Sequence, residues 1–394
     1  MTSNRQLGFS LTEGQESFRQ SVATFSKKVI APMAREIDKT DRMPKQVWKL
    51  FGDQGYPAMP IPKKYGGTEQ GLVEQSIMME EVTAGGHSPV VIALLEAAAL
   101  FSQSVNLAGT EKQKQTWLPE IAKGNINAAF ALTEPGVGSD PANMHTVARR
   151  DGDFYVLSGA KRYVSFAGIS DFIMVFAKTD PTAGAKGVSA FMVETSRPGF
   201  KIVDNISCIG LRGHQDEEIE FHEVRIPLFN RIGEEGQGLK IALSTLEKTR
   251  TTLCGGFIGL ARASLEAAIW YAQNRISFGK PLGDFQALRF PIAESEVKIE
   301  AARLLTWRAG WLEDQGQPHA FETAQAKIAA GEAMLHAADT AFSVYGGFGG
   351  TQKYVVERYY RDAKIWSYAQ GSPEMMTEIV ARQLLKRQVP EPLI

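Results

Sequence analysis

The sequence predicts an α+β protein of three consecutive units: an N-terminal helical domain (1–125), a central antiparallel β domain of barrel or sandwich type (126–236) and a C-terminal four-helix bundle (237–394). Two changes in the residue pattern predict this order. Apolar residues recur at helical spacing in the first unit, short β-rich runs bounded by turn residues follow, and long helical patterns return after Gly236. A chain of 394 residues, 44% of them hydrophobic, can bury the cores of two or three such units.

The first unit is predicted to be helical from its caps and its apolar spacing. Residues 11–36 begin with the capping-type Thr12 and are predicted to form one helix, which Pro32 kinks without ending. The apolar residues at helical spacing in this segment are Phe18, Val22, Phe25, Val29 and Ile30. Turns rich in Pro and Gly separate the further predicted helices, at about 44–55, 71–84, 88–106 and 111–122.

The pattern changes to short strands and then back to helices. The predicted strands, bounded by Asp-Gly, Gly-Ala-Lys-Gly and Arg-Pro-Gly turns, lie at 154–157, 172–176, 188–193 and 218–221. No helical period interrupts them, which indicates a compact antiparallel domain. The long helices that follow are predicted at 239–274, 284–315, 319–345 and 371–387. Their short connections favour antiparallel packing in a four-helix bundle.

Composition and charge exclude several classes of function. A formal net charge of −1 provides no electrostatic footprint for nucleic acid or for an anionic membrane surface, and no stretch approaches the roughly 18 apolar residues of a spanning helix. Cys208 and Cys254 lack paired spacing, so neither a disulfide framework nor a zinc site is predicted. Residues 1–8 have the features of neither a secretory signal nor an organelle address. The sequence therefore predicts a soluble, cytoplasmic protein.

No metal site is predicted either. Metal sites need imidazoles and carboxylates at a shared spacing. The histidines that lack any such spacing are His145, His222, His319 and His336.

Two segments are predicted to form a site for a planar ligand. The apolar strand 128–132 leads into the loop Thr133-Glu-Pro-Gly-Val-Gly-Ser-Asp140, where backbone N–H groups and two hydroxyls become available at one strand end. Such a loop suits a ligand that is flat at one end and anionic at the other. The strand Lys161-Arg-Tyr-Val-Ser165 places an aromatic ring and a hydroxyl two residues apart on one face. Together the segments predict a floor and a wall for a planar ring.

These two segments belong to a set of separated motifs that carry a resemblance. The others are Asn274-Arg-Ile-Ser-Phe-Gly-Lys280 with Gln286, the run Gly346–Gly350 and Arg361-Asp-Ala-Lys364. In order and spacing the set resembles the acyl-CoA dehydrogenase family, over nearly the whole chain. The resemblance implies FAD held between the β domain and the last bundle, an acyl-CoA substrate, electron-transfer flavoprotein as electron acceptor and, usually, a homotetramer.

The resemblance also implies roles for residues around the flavin ring. Thr133 is expected to hydrogen-bond the ring, Tyr163 to stack against it and Ser165 to lie near its reactive N5. Further flavin contacts are implied at Phe130, Leu132, Gly138 and Ser139.

The other half of the cofactor is expected to meet a neighbouring subunit. The residues that resemble binders of the diphosphate and adenine are Arg275, Ser277, Phe278 and Gln286. Gly346 and Gly347 would let the backbone approach FAD closely, whereas Ser343 stands where the family commonly has glutamine. Further FAD contacts are implied at Ser372 and Glu374. The glycine run has no strand before it, so a Rossmann fold is not predicted.

The resemblance leaves the catalytic base unassigned. Gln370 stands where the family usually carries a glutamate, and Thr249 stands at the alternative position on the long helix. Neither side chain can take a proton from the carbon beside the thioester carbonyl, a step that needs a carboxylate within reach. The main candidate for a displaced base is Glu96, which lies where the family forms its acyl pocket. Two further candidates are Glu247 and Glu374.

Three explanations stay open for the unusual residues. A displaced base would remove a proton farther from the thioester, as cyclic or conjugated acyl groups could require. A different reaction, such as reduction of an enoyl-CoA or removal of a substituent from the acyl chain, would need no such base. A non-catalytic FAD-binding subunit would leave the base to another chain.

The remaining substrate contacts are implied by the same resemblance. They are Ser139, His87, Ile92, Arg250, Tyr368 and Gly371. A mostly apolar lining with one acid, Glu96, indicates a hydrocarbon or ring-like acyl group. In the turn 211–216, His214 and Gln215 replace the small polar residues usual in the family.

Overall fold

The computed structural model describes residues 10–388; residues 1–9 and 389–394, and with them the segment in which no targeting signal is predicted, lie outside the described residues. The N-terminal part is helical, as predicted. Its helices are α1 Glu13–Phe25, α2 Ala31–Thr40, α3 Gln46–Asp53, α4 Leu72–Gly86, α5 Val90–Ala108 and α6 Glu111–Ala122.

The predicted first helix is longer than expected and contains a π-helical turn, Ser26–Ile30, between α1 and α2. Thr12 caps α1 in a capping box. Pro32 directly follows the π-helical turn, at the second residue of α2. The wider turn shifts the register of the backbone hydrogen bonds where the proline lacks an N–H. The helix ends at Asp41, which adopts a left-handed conformation with φ 55°.

The central part is one eight-stranded sheet in which the order of strands is β6-β7-β3-β2-β4-β5-β8, with β1 beside β4. Its strands are β1 Ala128–Ala131, β2 Val147–Asp151, β3 Phe154–Ser165, β4 Phe172–Lys178, β5 Val188–Glu194, β6 Phe200–Ile206, β7 Asp216–Pro227 and β8 Arg231–Ile232. The pairs are antiparallel except for β1 with β4 and the one-residue contact of β2 with β4, which are parallel. The predicted antiparallel character therefore holds for most of the sheet.

Three strands of the sheet were not predicted: β8 is only two residues long, and the residues of β2 and β6 do not alternate between apolar and polar. The edge strand β6 is exposed along most of its length, and β2 is largely charged. Strand β3 joins two segments that the sequence separates, 154–157 and 161–165, into one twelve-residue strand.

The C-terminal part contains the predicted long helices and one more. Its elements are α7 Gly238–Asn274, the hairpin strands β9 Ile276–Ser277 and β10 Lys280–Pro281, α8 Gln286–Asp314, α9 Ala320–Tyr345, α10 Val356–Trp366 and α11 Pro373–Leu384. Helix α10 was not predicted because its buried face carries charge, which breaks the apolar period. Asp362 accepts a hydrogen bond from the Leu211 N–H at 2.6 Å, and Arg358 donates to the His87 carbonyl at 2.8 Å.

Helices α5 and α7 are long and apolar enough to span a membrane by length and composition, contrary to the expectation from the sequence. In their most apolar windows, 83% of the α5 residues and 78% of the α7 residues are buried inside the protein. Burial in the core accounts for their composition.

Helix α7 packs closely on α4 through two glycines on one face. A Cβ on Gly255 would lie 2.2 Å from the Ser76 carbonyl oxygen, and one on Gly259 would lie 2.4 Å from the Glu80 carbonyl oxygen. Because α7 also carries Thr249 and Arg250, this contact fixes part of the candidate site.

Replacing Gly255 by alanine is therefore expected to lower the free energy of unfolding by about 1–3 kcal/mol, through overpacking against backbone. Gly14→Ala in α1 is the matched control, because no atom lies within 4 Å of its Cβ position. Denaturant unfolding of both variants measures the difference. Equal stabilities would contradict the close contact between α4 and α7.

Candidate functional site

The predicted ring-binding loop is tied to strand β3 by three contacts. The Arg162 N–H donates to the Thr133 carbonyl at 2.9 Å. The Lys161 ammonium donates to the Leu132 carbonyl at 3.1 Å and to Glu134 Oε1 at 2.8 Å. The loop and the strand therefore form one rigid unit, as the floor-and-wall prediction requires.

Lys161 and Glu134 were not singled out from the sequence, although both lie inside the predicted motifs. Both side chains are buried. Burial lowers the pKa of Lys161 to about 8, against the opposing charge of Glu134. Burial raises the pKa of Glu134, but the Lys161 charge and the backbone N–H of His145 outweigh it, so the net shift is downward. The sequence did contain one signal for this pair. Lys161 is a charged residue at an inward-facing position of a strand, and a buried lysine needs a partner.

Tyr163 projects from a bulge in β3. The pairing register with β7 shifts between Lys161 and Val164, and Tyr163 has a left-handed φ of 56°. Its ring remains 54% exposed. A bulge re-aims a side chain, and an exposed aromatic ring beside the Thr133 loop fits the predicted stacking on a flavin.

Ser165 and the unusual His214 belong to one polar network. The Ser165 hydroxyl donates to Asp216 Oδ1 at 3.3 Å, and His214 Nδ1 lies 3.1 Å from Asp216 Oδ2. The His214 ring packs edge-on against Phe166. Burial raises the pKa of Asp216, but His214 and Ser165 more than offset this, so the net shift is downward. His214 therefore lies beside the half-buried Asp216 carboxylate that Ser165 also contacts.

The residues predicted to meet a neighbour's FAD lie away from this network, on the exposed end of the bundle. The β9–β10 hairpin carries Arg275, Ser277 and Phe278, whose side chain is 93% exposed, and Gln286 begins α8. Gly346 and Gly347 follow α9, and no atom lies within 4 Å of a Cβ on either. Backbone at these glycines is therefore open to a ligand, and the neighbouring Ser343 is exposed as well.

The remaining predicted FAD contacts flank these surfaces. Ser372 caps α11, accepting from the Met375 N–H. Phe130 packs against Phe176, with ring centroids 4.9 Å apart. Four predicted flavin contacts at the end of β1 and in the loop after it are at least partly exposed to solvent: Leu132, Thr133, Gly138 and Ser139.

Thr249 and Gln370, the two positions at which the resemblance places the family's base, contact each other. Thr249 Oγ1, on α7, donates to Gln370 Oε1 at 2.8 Å. Arg250 Nε donates to the Gln370 carbonyl at 2.6 Å. Gln370 has a left-handed φ of 55° and the following Gly371 a φ of 111°. Within the described residues, the buried Gln370 Nε2 has no hydrogen-bond partner.

Glu96 is a buried carboxyl on α5. Burial raises its pKa to about 8, against the partial offset of the Lys327 charge. In the described part of the chain, no hydrogen-bond partner reaches its Oε1. Its neighbour one turn earlier, Ile92, is fully buried and packs where α5 meets α7 and α10: a Cβ on Gly256 would lie 2.4 Å from Ile92 Cδ1.

The other two candidate bases are engaged elsewhere. Glu247 Oε1 lies 3.7 Å from His319 Nε2, at the other side of α7. Glu374 is exposed in the first turn of α11, where a hydrogen bond from Ser372 lowers its pKa. Neither carboxylate is buried like Glu96.

His87 and Tyr368 are both predicted to line the substrate site, but His87 is engaged with another side chain whereas Tyr368 is exposed. His87 ends α4 in a left-handed conformation, and its Nδ1 lies 2.6 Å from the Tyr359 hydroxyl. Burial lowers the pKa of His87, so its imidazole is a structural partner of Tyr359. Tyr368 is 49% exposed beside Gln370.

A separate cleft of about 1040 Å³ lies between the first helices and α8. Its lining includes Thr12, Gln70, Leu72, Trp307, Trp311 and Asp314, and none of the predicted site residues. The chemistry gathered around Gln370 therefore lies outside this cleft. Among residues 10–388, no group of three or more His, Cys, Asp or Glu side chains could hold a metal ion.

Three sequence profiles match consecutive parts of the chain. They are described as the N-terminal, middle and C-terminal domains of acyl-CoA dehydrogenase, and match residues 12–125, 129–224 and 236–385. The chain belongs to the acyl-CoA dehydrogenase family. The predicted fold class, FAD dependence and oxidoreductase chemistry on CH–CH bonds are confirmed.

Individual relatives match over nearly their whole length. The chain is 38% identical to the mitochondrial short-chain specific acyl-CoA dehydrogenase of Bos taurus, over 95% of this chain and 91% of the relative. It is 35% identical to the acryloyl-CoA reductase (NADH) of Anaerotignum propionicum, over 97% of each. A chain in a structure described as the electron transferring flavoprotein of Acidaminococcus fermentans superposes with a TM-score of 0.94 and 34% identity, over 97% of this chain and 100% of that one. The roles of individual residues stay predictions.

The buried pair Lys161–Glu134 should carry a large coupling energy. Lys161→Met alone is expected to lower the free energy of unfolding by about 3–5 kcal/mol, because it leaves a buried carboxylate unpaired. Lys161→Met with Glu134→Leu should recover much of that loss. A double-mutant cycle from denaturant unfolding measures the coupling. Additive effects would contradict the pairing.

Proposed function

We propose that this protein is an FAD-dependent acyl-CoA dehydrogenase without a carboxylate at either usual base position, in which Glu96 takes the substrate proton. The observation that carries the proposal is the 2.8 Å hydrogen bond between Thr249 and Gln370. Two positions assigned separately by the resemblance meet in space, and both side chains are neutral. A carboxylate for proton removal must therefore come from a third position.

Glu96 is the residue best suited to that role. A general base works best when its pKa lies near the operating pH, and burial raises that of Glu96 to about 8. Among residues 10–388, no group donates a hydrogen bond to its buried Oε1. Bound FAD would supply the acceptor for a hydride from the acyl chain, as in the family. Gln370, held by Thr249 and Arg250, would orient the thioester end without moving a proton.

The position of Glu96 bears on the acyl group. It sits on α5, a different element from those carrying the two neutral positions, beside the apolar Ile92. We propose that a proton removed there comes from a carbon farther from the thioester than usual. This supports a cyclic or conjugated acyl group. The similarity to a short-chain specific enzyme supports a small one.

An alternative function is reduction of an enoyl-CoA. The similarity to an acryloyl-CoA reductase favours it, and a protonated Glu96 would donate where an ionised one would accept. A non-catalytic FAD-binding subunit is the remaining alternative. It accounts for two neutral residues at the base positions, but not for a buried carboxyl oxygen, Oε1 of Glu96, that has no hydrogen-bond partner in the described part of the chain.

The proposed partners are electron-transfer flavoprotein and further copies of this chain. A structural neighbour described by the name of that flavoprotein supports the first. An apolar stripe on α8 supports the second: Phe290, Val297 and Leu304 recur every seven residues and are 56%, 70% and 41% exposed. We propose a homotetramer in which this stripe is covered and the β9–β10 hairpin reaches a neighbour's FAD. The expected cytoplasmic location stays a prediction.

Anaerobic titration tests the dehydrogenase directly. The purified yellow protein should bleach with a member of a panel of straight-chain, cyclic and conjugated acyl-CoA thioesters, and the rate should rise with pH through about 8 as Glu96 ionises. Glu96→Gln should lower the rate by roughly 100-fold or more and abolish this pH step. Glu247→Gln is the matched control and should leave both unchanged. Colour that no thioester changes would favour the non-catalytic subunit.

Restoring a carboxylate at position 370 should create ordinary α,β-dehydrogenation. Gln370→Glu is expected to raise the turnover of a straight-chain acyl-CoA by at least roughly tenfold, because the carboxylate would lie where the family's base acts. Gln370→Met controls for loss of the amide. No gain in a folded, FAD-loaded Gln370→Glu protein would count against the assignment of position 370.

A charge in the α8 stripe should break the assembly. Val297→Asp is expected to shift the mass measured by light scattering from the tetramer to smaller species and to weaken FAD retention, because the stripe loses its cover. Leu107→Asp, at a similarly exposed leucine on α5, should leave the mass unchanged. Tetramers in both variants would place the interface elsewhere.

A further inference from the structure

Residues 367–371, in the segment between α10 and α11, are held by two cations from different helices. Arg250 on α7 donates to the Gln370 carbonyl at 2.6 Å. Lys327 on α9 donates to the next carbonyl, that of Gly371, also at 2.6 Å, and lies 3.5 Å from the carbonyl of Ser367. Two consecutive carbonyls thus point at two charged donors.

Lys327 is a buried ammonium whose hydrogen bonds go to backbone. Its side chain is 3% exposed and its Nζ lies 5.7 Å from the centre of the Phe257 ring. The ionisable groups that face it are Glu96 from α5 and Arg250 and Cys254 from α7. Burial lowers the pKa of Lys327 to about 8, despite the opposing effects of Cys254 and Glu96. A lysine is rarely buried without such partners.

The backbone that these cations hold is strained. Gln370 adopts a left-handed conformation and Gly371 a φ of 111°. A left-handed residue other than glycine costs about 1–2 kcal/mol, and persists only where the surroundings enforce it. Charge-assisted hydrogen bonds to the two carbonyls are strong enough to do so.

We infer that Lys327 is a positioning residue of the site: by holding the Gly371 carbonyl, it fixes the left-handed turn that brings the Gln370 amide to Thr249. No role for Lys327 follows from the motifs of the sequence. The inference deepens the proposed function, on which it rests for the chemistry at position 370. We call the hydrogen bonds from Arg250 to the Gln370 carbonyl and from Lys327 to the Gly371 carbonyl the clamp. Both are made between groups of this chain, without FAD or thioester.

Amide hydrogen exchange of residues 367–371 tests the clamp. Lys327→Met is expected to speed exchange at Tyr368 and Ala369 by roughly tenfold or more, since a hydrogen bond from a charged group is lost. Lys327→Arg should restore slow exchange, because it keeps a charged donor. Lys298→Met, at an exposed lysine on α8, is the control and should match the wild type. Where the methionine variant does not fold, Lys327→Gln, with a shorter neutral donor, takes its place.

Wild-type exchange at these amides in a folded Lys327→Met or Lys327→Gln protein would overturn the inference. Accelerated exchange that Lys327→Arg does not reverse would overturn it as well, since a general packing defect would then be the cause. The measurement needs neither FAD nor substrate. A protein that no thioester bleaches, but whose loop loosens in Lys327→Met and recovers in Lys327→Arg, would contradict the proposed function and support the clamp.

Discussion

Buried ammonium groups that must find partners are the constraint on which this site depends. Lys161 in the sheet and Lys327 in the bundle are both removed from water. A buried charge is tolerated only when it is hydrogen-bonded. Each lysine meets this need by taking a backbone carbonyl of a site segment, that of Leu132 or that of Gly371. The positions of the segments therefore follow from the burial of the charges.

The two segments held by these lysines, at Leu132–Thr133 and at Gln370–Gly371, have different proposed roles in the site. The segment at Thr133 is tied to β3, which carries the exposed Tyr163 and the Ser165 network, the residues predicted to meet the flavin. The one at Gln370 faces α7, where a neutral amide and a neutral hydroxyl bind each other. In our proposal the acid–base chemistry belongs instead to Glu96 on α5, whose buried Oε1 has no hydrogen-bond partner among residues 10–388. FAD chemistry is common to the family, whereas the neutral pair at the base positions is part of our proposal for this chain.

Much of the fold could be predicted from the sequence, because local pattern determines it. Helix α6 has the predicted bounds, 111–122, since a capping threonine and a short apolar period both mark it. Helix α10 escaped prediction because Arg358 and Asp362 are buried in long-range hydrogen bonds that no local period shows. The π-helical turn before Pro32 was missed for a similar reason, since its cause is the register of the whole helix.

The sequence predicted which residues belong to the candidate site better than it predicted the contacts between them. Motif positions identified Gln370, Thr249 and Glu96, but only the structure shows that the first two touch and that Glu247 lies beside His319. The role of Lys327 could not be predicted from sequence motifs, because its partner Gly371 lies 44 positions further along the chain, outside α9. Pairings of this kind arise from packing, which a single sequence does not encode locally.

The central claim is that Glu96 and neither of the neutral positions meets the reacting carbon. A crystal structure of the FAD-loaded protein with a bound, slowly reacting acyl-CoA thioester tests it most directly. The account predicts a Glu96 carboxylate oxygen within about 3–4 Å of an acyl carbon under the flavin, with Thr249 and Gln370 still bonded to each other. Another carboxylate in that place, or an acyl chain that never approaches Glu96, would contradict it.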